Sequence, residues 1–389
     1  MQKQHAFIVA VFAAAFCLEF SSRADNQIVQ WGNAPPAAYT IDQFNATVRI
    51  NQGAGYIFKF YAVDGGNPGL INNIYVDAGA AGNFQIWIQH PNSPFIGAGH
   101  LRQCDLQYPG GTSTLRGMTL SGSLGQGGPV RLESVDGPIT VGYGGQGHLL
   151  HTLVVQQWNN TYGTAGLSVT GNVPAGADVW VYSSMPGNIW IGGNLAAEMN
   201  ITGGHMTGST TIGSLSGKFR VTNAGLLGPL HVTGNVTDGG VIFVKGSCTA
   251  PIDIDGNFAG SLSIGWEPGH DLRAALTIDG ACTGDITITR VYSDASSQGS
   301  INIGQNCTGD ISIGNSMNGP VNIGGSLAGT LAVGATWGGG NIQQNVSIGG
   351  HLRGNITANG SLSAEIQING SLINGSSQYD IELTSRRVG

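Results

Sequence analysis

Residues 301–334 read INIGQNCTGDISIGNSMNGPVNIGGSLAGTLAVG, a stretch in which one short cassette recurs every ten residues. The first apolar residue of each copy is Ile301, Ile311, Val321 or Leu331, and the cassette approximates G-x-I-x-I-x-G-S/N-L-x. The same step resumes at residues 346, 356 and 366. A short repeat of this regularity requires stacked, nearly identical backbone turns, so the pattern predicts a repeat architecture.

Each I-x-I element alternates apolar and polar residues, as in Ile311-Ser312-Ile313. Successive side chains of a strand point to opposite faces, so both aliphatic residues face one side and the polar residue faces the other. Glycine follows within a few residues, and no helical periodicity separates the strands. Such short connections exclude a βαβ crossover fold. We therefore predict an all-β fold, a parallel β-helix (β-solenoid) with an interior of stacked aliphatic residues.

The number of cassettes in each coil follows from the positions of the insertions. Ten residues are too few to enclose a core, so a coil needs two or three cassettes. Longer connections follow Ile264, Ile288 and Val333, which are cassettes zero, two and six when counted from Leu262. All three numbers are even. This is the result expected if each coil contains two cassettes and all the loops leave the same edge. We predict coils of roughly 20 residues that rise about 4.8 Å each.

Looser copies of the cassette extend the repeat towards the N-terminus. They can be traced backwards through Ile286, Leu276, Leu262, Ile252, Val241, Leu230, Phe219, Met199, Ile189 and Val179. We predict a solenoid over residues 70–383, followed by a tail at 384–389. Residues 25–69 contain the aromatic run Tyr56-Ile57-Phe58-Lys59-Phe60-Tyr61 and are predicted to form an N-terminal cap. Solenoids need caps because an open end is an edge strand that aggregates.

The N-terminal residues have the layout of a secretory signal peptide. Lys3 precedes the apolar run Ala6–Phe16, and a small-x-small site follows at Ser22-Arg23-Ala24. This pattern predicts a signal peptide over residues 1–24 and a secreted, periplasmic or cell-surface protein. The alternative is an N-terminal membrane anchor, but the apolar run is shorter than the roughly 20 residues that a spanning helix needs. We expect no membrane span after cleavage.

The composition narrows the possible partners. The chain of 389 residues has 65 glycines, 41% hydrophobic residues and only 10% charged residues, which is too apolar for a disordered glycine-rich linker. Its net charge is −7, with 15 Lys and Arg and no basic run. A nucleic-acid binder needs a basic footprint, so we expect no nucleic-acid partner. The sequence predicts no cofactor.

Four cysteines follow the predicted signal peptide: Cys104, Cys248, Cys282 and Cys307. An even number in an exported chain is compatible with disulfides, and a metal site is a further alternative. The last three, however, fall where other cassettes place an apolar residue such as Phe258. This position favours cysteine as a small buried hydrophobe.

The inserted loop over residues 265–273 is the best candidate for a localised site. It contains an aromatic residue, two carboxylates, a histidine and an arginine: Trp266, Glu267, His270, Asp271 and Arg273. A sugar could stack on the tryptophan while the charged groups bind it or act on it. The loop with Tyr292 would lie one coil away on the same edge. The alternative is that an insertion simply places polar residues in water.

Two further groups on the strands are candidates. Asp253 and Asp255 face outward together and could hold calcium or serve as acid and base, or they are solvated surface residues. Trp180 and Trp190 each sit at an outward position between two inward residues. An exposed tryptophan can stack on a saccharide or contact a protein, although the preceding connection could equally cover both.

The repeat form resembles that of the extracellular parallel β-helix proteins, which include pectin-lyase-like polysaccharide enzymes, adhesins and autotransporter passenger regions. The resemblance covers about residues 70–383 and includes no catalytic motif. It implies work on polysaccharides or other surface components outside the cell. Two functions follow as expectations. The first is an exported, non-catalytic structural or adhesive solenoid, with surface polysaccharide as its candidate ligand. The alternative is a polysaccharide lyase or glycosidase with its site in the loops 265–275 and 289–299.

Overall fold

The computed structural model describes residues 27–30, 33–44, 47–51, 56–64, 67–68, 73–76, 85–88, 104–106, 118–120, 123–124, 129–135, 137–142, 147–159, 166–334, 336, 340–373 and 381–383. The predicted signal peptide at 1–24 and the predicted tail at 384–389 lie outside these residues. Within these residues the helices and strands are 32 β-strands and one 3-10 helix at Pro36–Ala38.

The strands are short, and most span three or four residues. In chain order they are β1 (Gln27–Gln30), β2 (Tyr39–Asp42), β3 (Thr47–Ile50), β4 (Ile57–Asp64), β5 (Asn67–Pro68), β6 (Asn73–Val76), β7 (Gln85–Ile88), β8 (Cys104–Leu106), β9 (Met118–Leu120), β10 (Val130–Val135), β11 (Pro138–Val141), β12 (Leu153–Trp158), β13 (Gly166–Val169), β14 (Val179–Val181), β15 (Asn188–Leu195) and β16 (Glu198–Ile201). They continue as β17 (Thr210–Leu215), β18 (Lys218–Val221), β19 (Leu230–Val232), β20 (Val241–Val244), β21 (Ile252–Ile254), β22 (Ser261–Ile264), β23 (Ala275–Ile278), β24 (Asp285–Ile288), β25 (Ser300–Ile303), β26 (Ile311–Ile313), β27 (Val321–Ile323), β28 (Leu331–Val333), β29 (Val346–Ile348), β30 (Ile356–Ala358), β31 (Ile366–Ile368) and β32 (Ile381–Leu383).

Two long sheets contain nearly all of these strands. Sheet I has 15 strands, namely β2, β3, β6, β9 and every odd-numbered strand from β11 to β31. Sheet II has 13 strands, namely every even-numbered strand from β8 to β32. Because consecutive strands alternate between the sheets, each coil contains one strand of each, and pairing between coils is parallel. The predicted β-solenoid with two cassettes per coil is therefore confirmed.

The coil length varies with the insertions. Ile301 pairs with Val321, which is a step of 20 residues, whereas Val321 pairs with Val346, a step of 25. The average is about 22 residues per turn, slightly above the predicted 20, because the loops lengthen some coils. The long connections after Ile264, Ile288 and Val333 all follow strands of sheet II, so they leave one edge as predicted.

The interior is four-sided. Between the strands, single residues form isolated parallel bridges from coil to coil, and these bridges build two further columns. One column follows the sheet I strands and includes Phe258, Cys282, Cys307 and Leu327, while the other includes Leu226, Cys248, Leu272 and Val291. Every one of these residues is fully buried. The prediction that cysteine serves as a buried residue is confirmed for these three, which are free thiols.

The cassette glycines allow the coils to stack closely. An added Cβ at Gly329 would lie 2.1 Å from the carbonyl oxygen of Gly309, and one at Gly309 would lie 2.0 Å from that of Gly284. Real Cβ atoms do not approach a carbonyl oxygen so closely. Close contact between successive coils therefore requires glycine at these two positions. Gly265 is required for a different reason, because its backbone has a positive φ that other residues rarely adopt.

The strand β20 departs from the traced repeat by one residue. Phe219 pairs with Ile242, and Ile242 and Val244 are the buried residues, so Val241 lies at an outward position. The traced position was wrong because the connection 233–240 carries extra residues. Repeat spacing alone cannot distinguish neighbouring apolar residues such as Val241 and Ile242.

The N-terminal end of sheet I contains an antiparallel hairpin. β2 pairs antiparallel with β3, and β3 then pairs parallel with β6. Beside it, β1, β4, β5 and β7 form a separate small sheet. Phe58 and Phe60 are fully buried, and the ring of Tyr39 meets them edge-on at centroid distances of 6.2 and 5.7 Å. The predicted boundary between cap and solenoid near residue 70 stays a prediction.

Candidate functional site

The connections after β22 and β24 meet on adjacent coils around the carboxylate of Asp271. This side chain is fully buried. It accepts hydrogen bonds from Arg290, with 2.8 Å from Nε to Oδ1 and 2.7 Å from Nη2 to Oδ2. Arg273 donates to Oδ2 from Nη2 at 2.9 Å. The two guanidinium groups compensate the buried charge, and the hydrogen bonds that Arg290 donates to Asp271 raise the pKa of Arg290.

Both arginines also lie against the ring of Tyr292. The guanidinium carbon of Arg290 is 4.7 Å from the ring centroid, and that of Arg273 is 5.1 Å away. These are cation–π distances. A hydrogen bond to Asp294 raises the pKa of Tyr292, while hydrogen bonds from the Ser296 hydroxyl and backbone lower the pKa of Asp294 to about 2. The two loops therefore form one ion–aromatic cluster, the loop cluster.

The other candidates in the 265–273 loop have different environments. Trp266 is 62% exposed, and Glu267 is exposed. His270 is half-buried, and its Nδ1 is buried without a hydrogen-bond partner. The structure thus brings together Asp271, Arg273 and Tyr292 from the predicted set.

The outer face of sheet II carries a second group of aromatic residues. Register pairing places Trp180, Asn200, Arg220 and Phe243 in one outward column on successive strands. The ring of Trp180 stacks on Tyr182 at a centroid distance of 6.5 Å and an interplanar angle of 19°. Tyr182 is 49% exposed. This column runs along the solenoid axis.

Phe243 links this column to the loop edge. The guanidinium carbon of Arg220 lies 5.4 Å from the Phe243 centroid, and the Trp266 ring meets Phe243 edge-on at 6.4 Å. We name Trp180, Tyr182, Arg220, Phe243 and Trp266 the aromatic stripe. Trp180 and Trp266 were separate sequence candidates, and the structure places them on one surface. Sequence reasoning missed Arg220 and Phe243. The signal that could have found them is the alternation of inward and outward residues in their strands, which places both side chains on the outer face.

Positive charge is concentrated on the same side. Between residues 166 and 334, which are described without a gap, the only Lys and Arg residues are Lys218, Arg220, Lys245, Arg273 and Arg290. All five lie in sheet II strands or in the connections that follow them. Glu198 offsets part of this charge, since its carboxylate lies 3.3 Å from Arg220 and 3.7 Å from Lys218.

Sheet I presents a different surface. Trp190, which is 42% exposed, shares an outward column with Thr211, His231 and Asp253. A groove of about 480 Å³ lies on this face and is lined by Ser209, Thr211, His231, Asp253, Asp255, Thr277 and Asp279 among others. His231 Nε2 is 2.8 Å from Asp255 Oδ1. We name this feature the sheet I groove.

The structure brings Asp253 and Asp255 together with two residues that sequence reasoning missed, His231 and Asp279. Asp255 and Asp279 each directly follow a sheet I strand, and this shared position was the available signal. Among the described residues, no group of three or more His, Cys, Asp or Glu side chains is arranged to hold a metal ion. The proposal of a calcium site at Asp253 and Asp255 gains no support from the geometry.

Comparison with protein-family models, with curated proteins and with solved structures found no match. The fold therefore defines the class, a parallel β-solenoid, and the functional argument rests on the residues of this chain. In the part of the chain that the structure describes, no helix has the length and apolar character needed to cross a membrane.

Proposed function

We propose that the protein is an exported, non-catalytic adhesive β-solenoid that binds a polysaccharide along the aromatic stripe of sheet II. The aromatic stripe is the single observation behind this proposal. It combines the exposed rings of Tyr182 and Trp266 and two half-buried rings with a guanidinium group on one surface. Aromatic rings offer apolar faces to the C–H face of a sugar, and exposed apolar surface of this kind marks binding sites.

The periodicity of the sheet suits an extended chain of sugars. Neighbouring strands lie about 4.8 Å apart, which is comparable with the length of one pyranose residue in an extended polysaccharide. A polysaccharide lying along the solenoid axis would meet a new outward side chain at each strand. Lys218, Arg220 and Lys245 supply hydrogen-bond donors for hydroxyl or carboxylate groups beside the rings.

The export part of the proposal rests on the sequence pattern of residues 1–24. The charged start, the apolar run and the small-residue site support secretion or display at the cell surface. Extracellular polysaccharide and other cell-surface components are the partners that this location makes accessible.

The environment of Asp271 supports a non-catalytic role for the loop edge. A general acid or base must reach the proton that it transfers, and it must change protonation state. Asp271 is fully buried, and its two oxygens are occupied by Arg273 and Arg290. Its arrangement is that of a structural ion pair that joins two coils.

A second candidate function is polysaccharide cleavage in the sheet I groove. The specific observation that favours it is the presence of Asp253, Asp255 and Asp279 beside His231 in one groove. Glycosidases cleave with a pair of carboxylates, one as acid and one as base or nucleophile. This candidate places the chemistry on sheet I, away from the loops that the sequence favoured.

Binding to defined polymers tests the first proposal. The full chain would be titrated against alginate, polygalacturonate, dextran and chitosan by biolayer interferometry. We expect Trp180→Ala and Trp266→Ala each to weaken binding about five- to tenfold, because each removes a stacking ring. Trp190→Ala is the matched control, an exposed tryptophan on the opposite sheet, and should leave affinity unchanged. Loss of affinity only in Trp190→Ala would contradict binding at the stripe.

Product formation on the same polymers tests the second candidate. Reducing ends and unsaturated uronides would be measured after incubation with the full chain. Turnover that Asp253→Asn or Asp255→Asn abolishes would favour the enzyme. Unaltered polymer, together with binding that depends on the stripe, would support the adhesive proposal.

A further inference from the structure

Cys282 and Cys307 occupy equivalent positions in consecutive coils. They are direct partners in the bridge column that follows the sheet I strands, between Phe258 on one side and Leu327 on the other. Both thiols are free and fully buried. Within this column, each cysteine therefore has the other cysteine on one side and an apolar residue on the other.

The geometry of the bridge suits a covalent link. Strands that pair in parallel lie about 4.8 Å apart, and the Cα atoms of a disulfide are separated by roughly 4.4–6.8 Å. The two side chains have matching orientations, since Cys282 Sγ lies 3.3 Å from Gly284 O and Cys307 Sγ lies 3.4 Å from Gly309 O.

We propose that Cys282 and Cys307 are an oxidisable pair that forms an axial disulfide between two consecutive coils. The oxidant is a small-molecule disulfide such as oxidised glutathione. One of the two cysteine thiolates attacks one sulfur of the oxidant, which forms a mixed disulfide and releases one thiolate. The other cysteine thiolate then attacks the protein sulfur of this mixed disulfide and releases the second thiolate. The two cysteine protons pass to the released thiolates, and the oxidant gains two electrons.

Because both sulfurs are sealed in the folded column, a mixed disulfide with glutathione has no room there. The bond therefore closes as the two coils stack during folding.

The consequence is a covalent clamp beside the loop cluster. The disulfide closes the segment 282–307, which contains Arg290, Tyr292 and Asp294. Closing a loop lowers the entropy of the unfolded chain and so stabilises the folded one. Cys248 does not join this pair, because it lies in the other bridge column between Leu226 and Leu272.

Refolding with peptide mapping tests the proposal. The full chain would be unfolded and reduced, refolded in reduced and oxidised glutathione, blocked with N-ethylmaleimide and digested with trypsin without reduction. Cleavage after Lys245, Arg273, Arg290 and Arg353 places Cys248, Cys282 and Cys307 in three separate peptides, 246–273, 274–290 and 291–353. We expect peptide 274–290 to be linked to peptide 291–353, with a mass two hydrogens below the sum of the two peptide masses. Cys248 should carry the maleimide.

Two other outcomes would overturn the proposal: a refolded chain with maleimide on both Cys282 and Cys307, or links to Cys248 in comparable yield. A melting experiment gives a second measure. The oxidised chain should melt at least about 3 °C above the reduced chain. Cys282→Ala should abolish this difference, and Cys248→Ala, the matched control, should retain it. Equal melting of the oxidised and reduced wild-type chains would count against the clamp.

Discussion

At the scale of single residues, the ion pairs of Asp271 connect the two inserted loops at this edge. A fully buried carboxylate is costly unless opposite charge and hydrogen bonds compensate it. Arg290 contributes two of the hydrogen bonds from a connection one coil away. The contact therefore joins two inserted loops that belong to different coils of the repeat.

We expect Arg290→Gln to lower the free energy of unfolding by about 3 kcal/mol, because it leaves Asp271 with Arg273 as its only cation. Arg353→Gln is the matched control, since Arg353 is exposed, and it should change the free energy by less than about 0.5 kcal/mol. Chemical denaturation of both variants measures the difference. Equal effects would show that the buried pair does not stabilise the edge.

Sequence reasoning could predict which loops form this cluster, but not which of their side chains form ion pairs with each other. Spacing indicated that the loops with Asp271 and Tyr292 share one edge, and the structure confirms it. The sequence could not show that Arg290 reaches Asp271, because the reach depends on how each insertion folds back. It also could not show that Asp271 is buried, since a polar insertion ordinarily lies in water.

At the scale of the element, each cassette has two aliphatic residues that point into the core and glycines at the places where successive coils are in contact. The alternation of I-x-I correctly predicts which residues are buried, as in β26, where Ile311 and Ile313 are buried and Ser312 is not. The bridge columns were harder to predict, because one apolar residue between glycines has no strand periodicity. Insertions also shift the register, as they do at Ile242.

We expect Gly329→Ala to destabilise the protein by at least about 2 kcal/mol, because its Cβ would clash with the carbonyl oxygen of Gly309 and force the coils apart. Gly239→Ala is the matched control. Its Cβ would meet the Ser216 carbonyl oxygen at 3.0 Å on an exposed turn, so a small shift relieves it. Thermal unfolding compares the two. A tolerated Gly329→Ala would show that coil spacing does not require glycine there.

At the scale of the whole molecule, the two sheets present surfaces of different chemistry. The sheet II side combines aromatic rings with the cations of residues 166–334, whereas the sheet I groove combines hydroxyls with Asp253, Asp255 and Asp279. A solenoid with two strands per coil sends alternate cassettes to opposite faces. Residues ten apart in sequence, such as Trp180 and Trp190, therefore serve different surfaces.

Hydroxyl-radical footprinting of the chain, with and without the polysaccharide that binds it best, tests the central claim most directly. The method measures side-chain oxidation, and tryptophan and tyrosine are strong reporters. We expect bound polysaccharide to protect Trp180, Tyr182 and Trp266 from oxidation and to leave Trp190 unchanged. Protection of Trp190 with Trp180 and Trp266 still oxidised would contradict binding at the aromatic stripe.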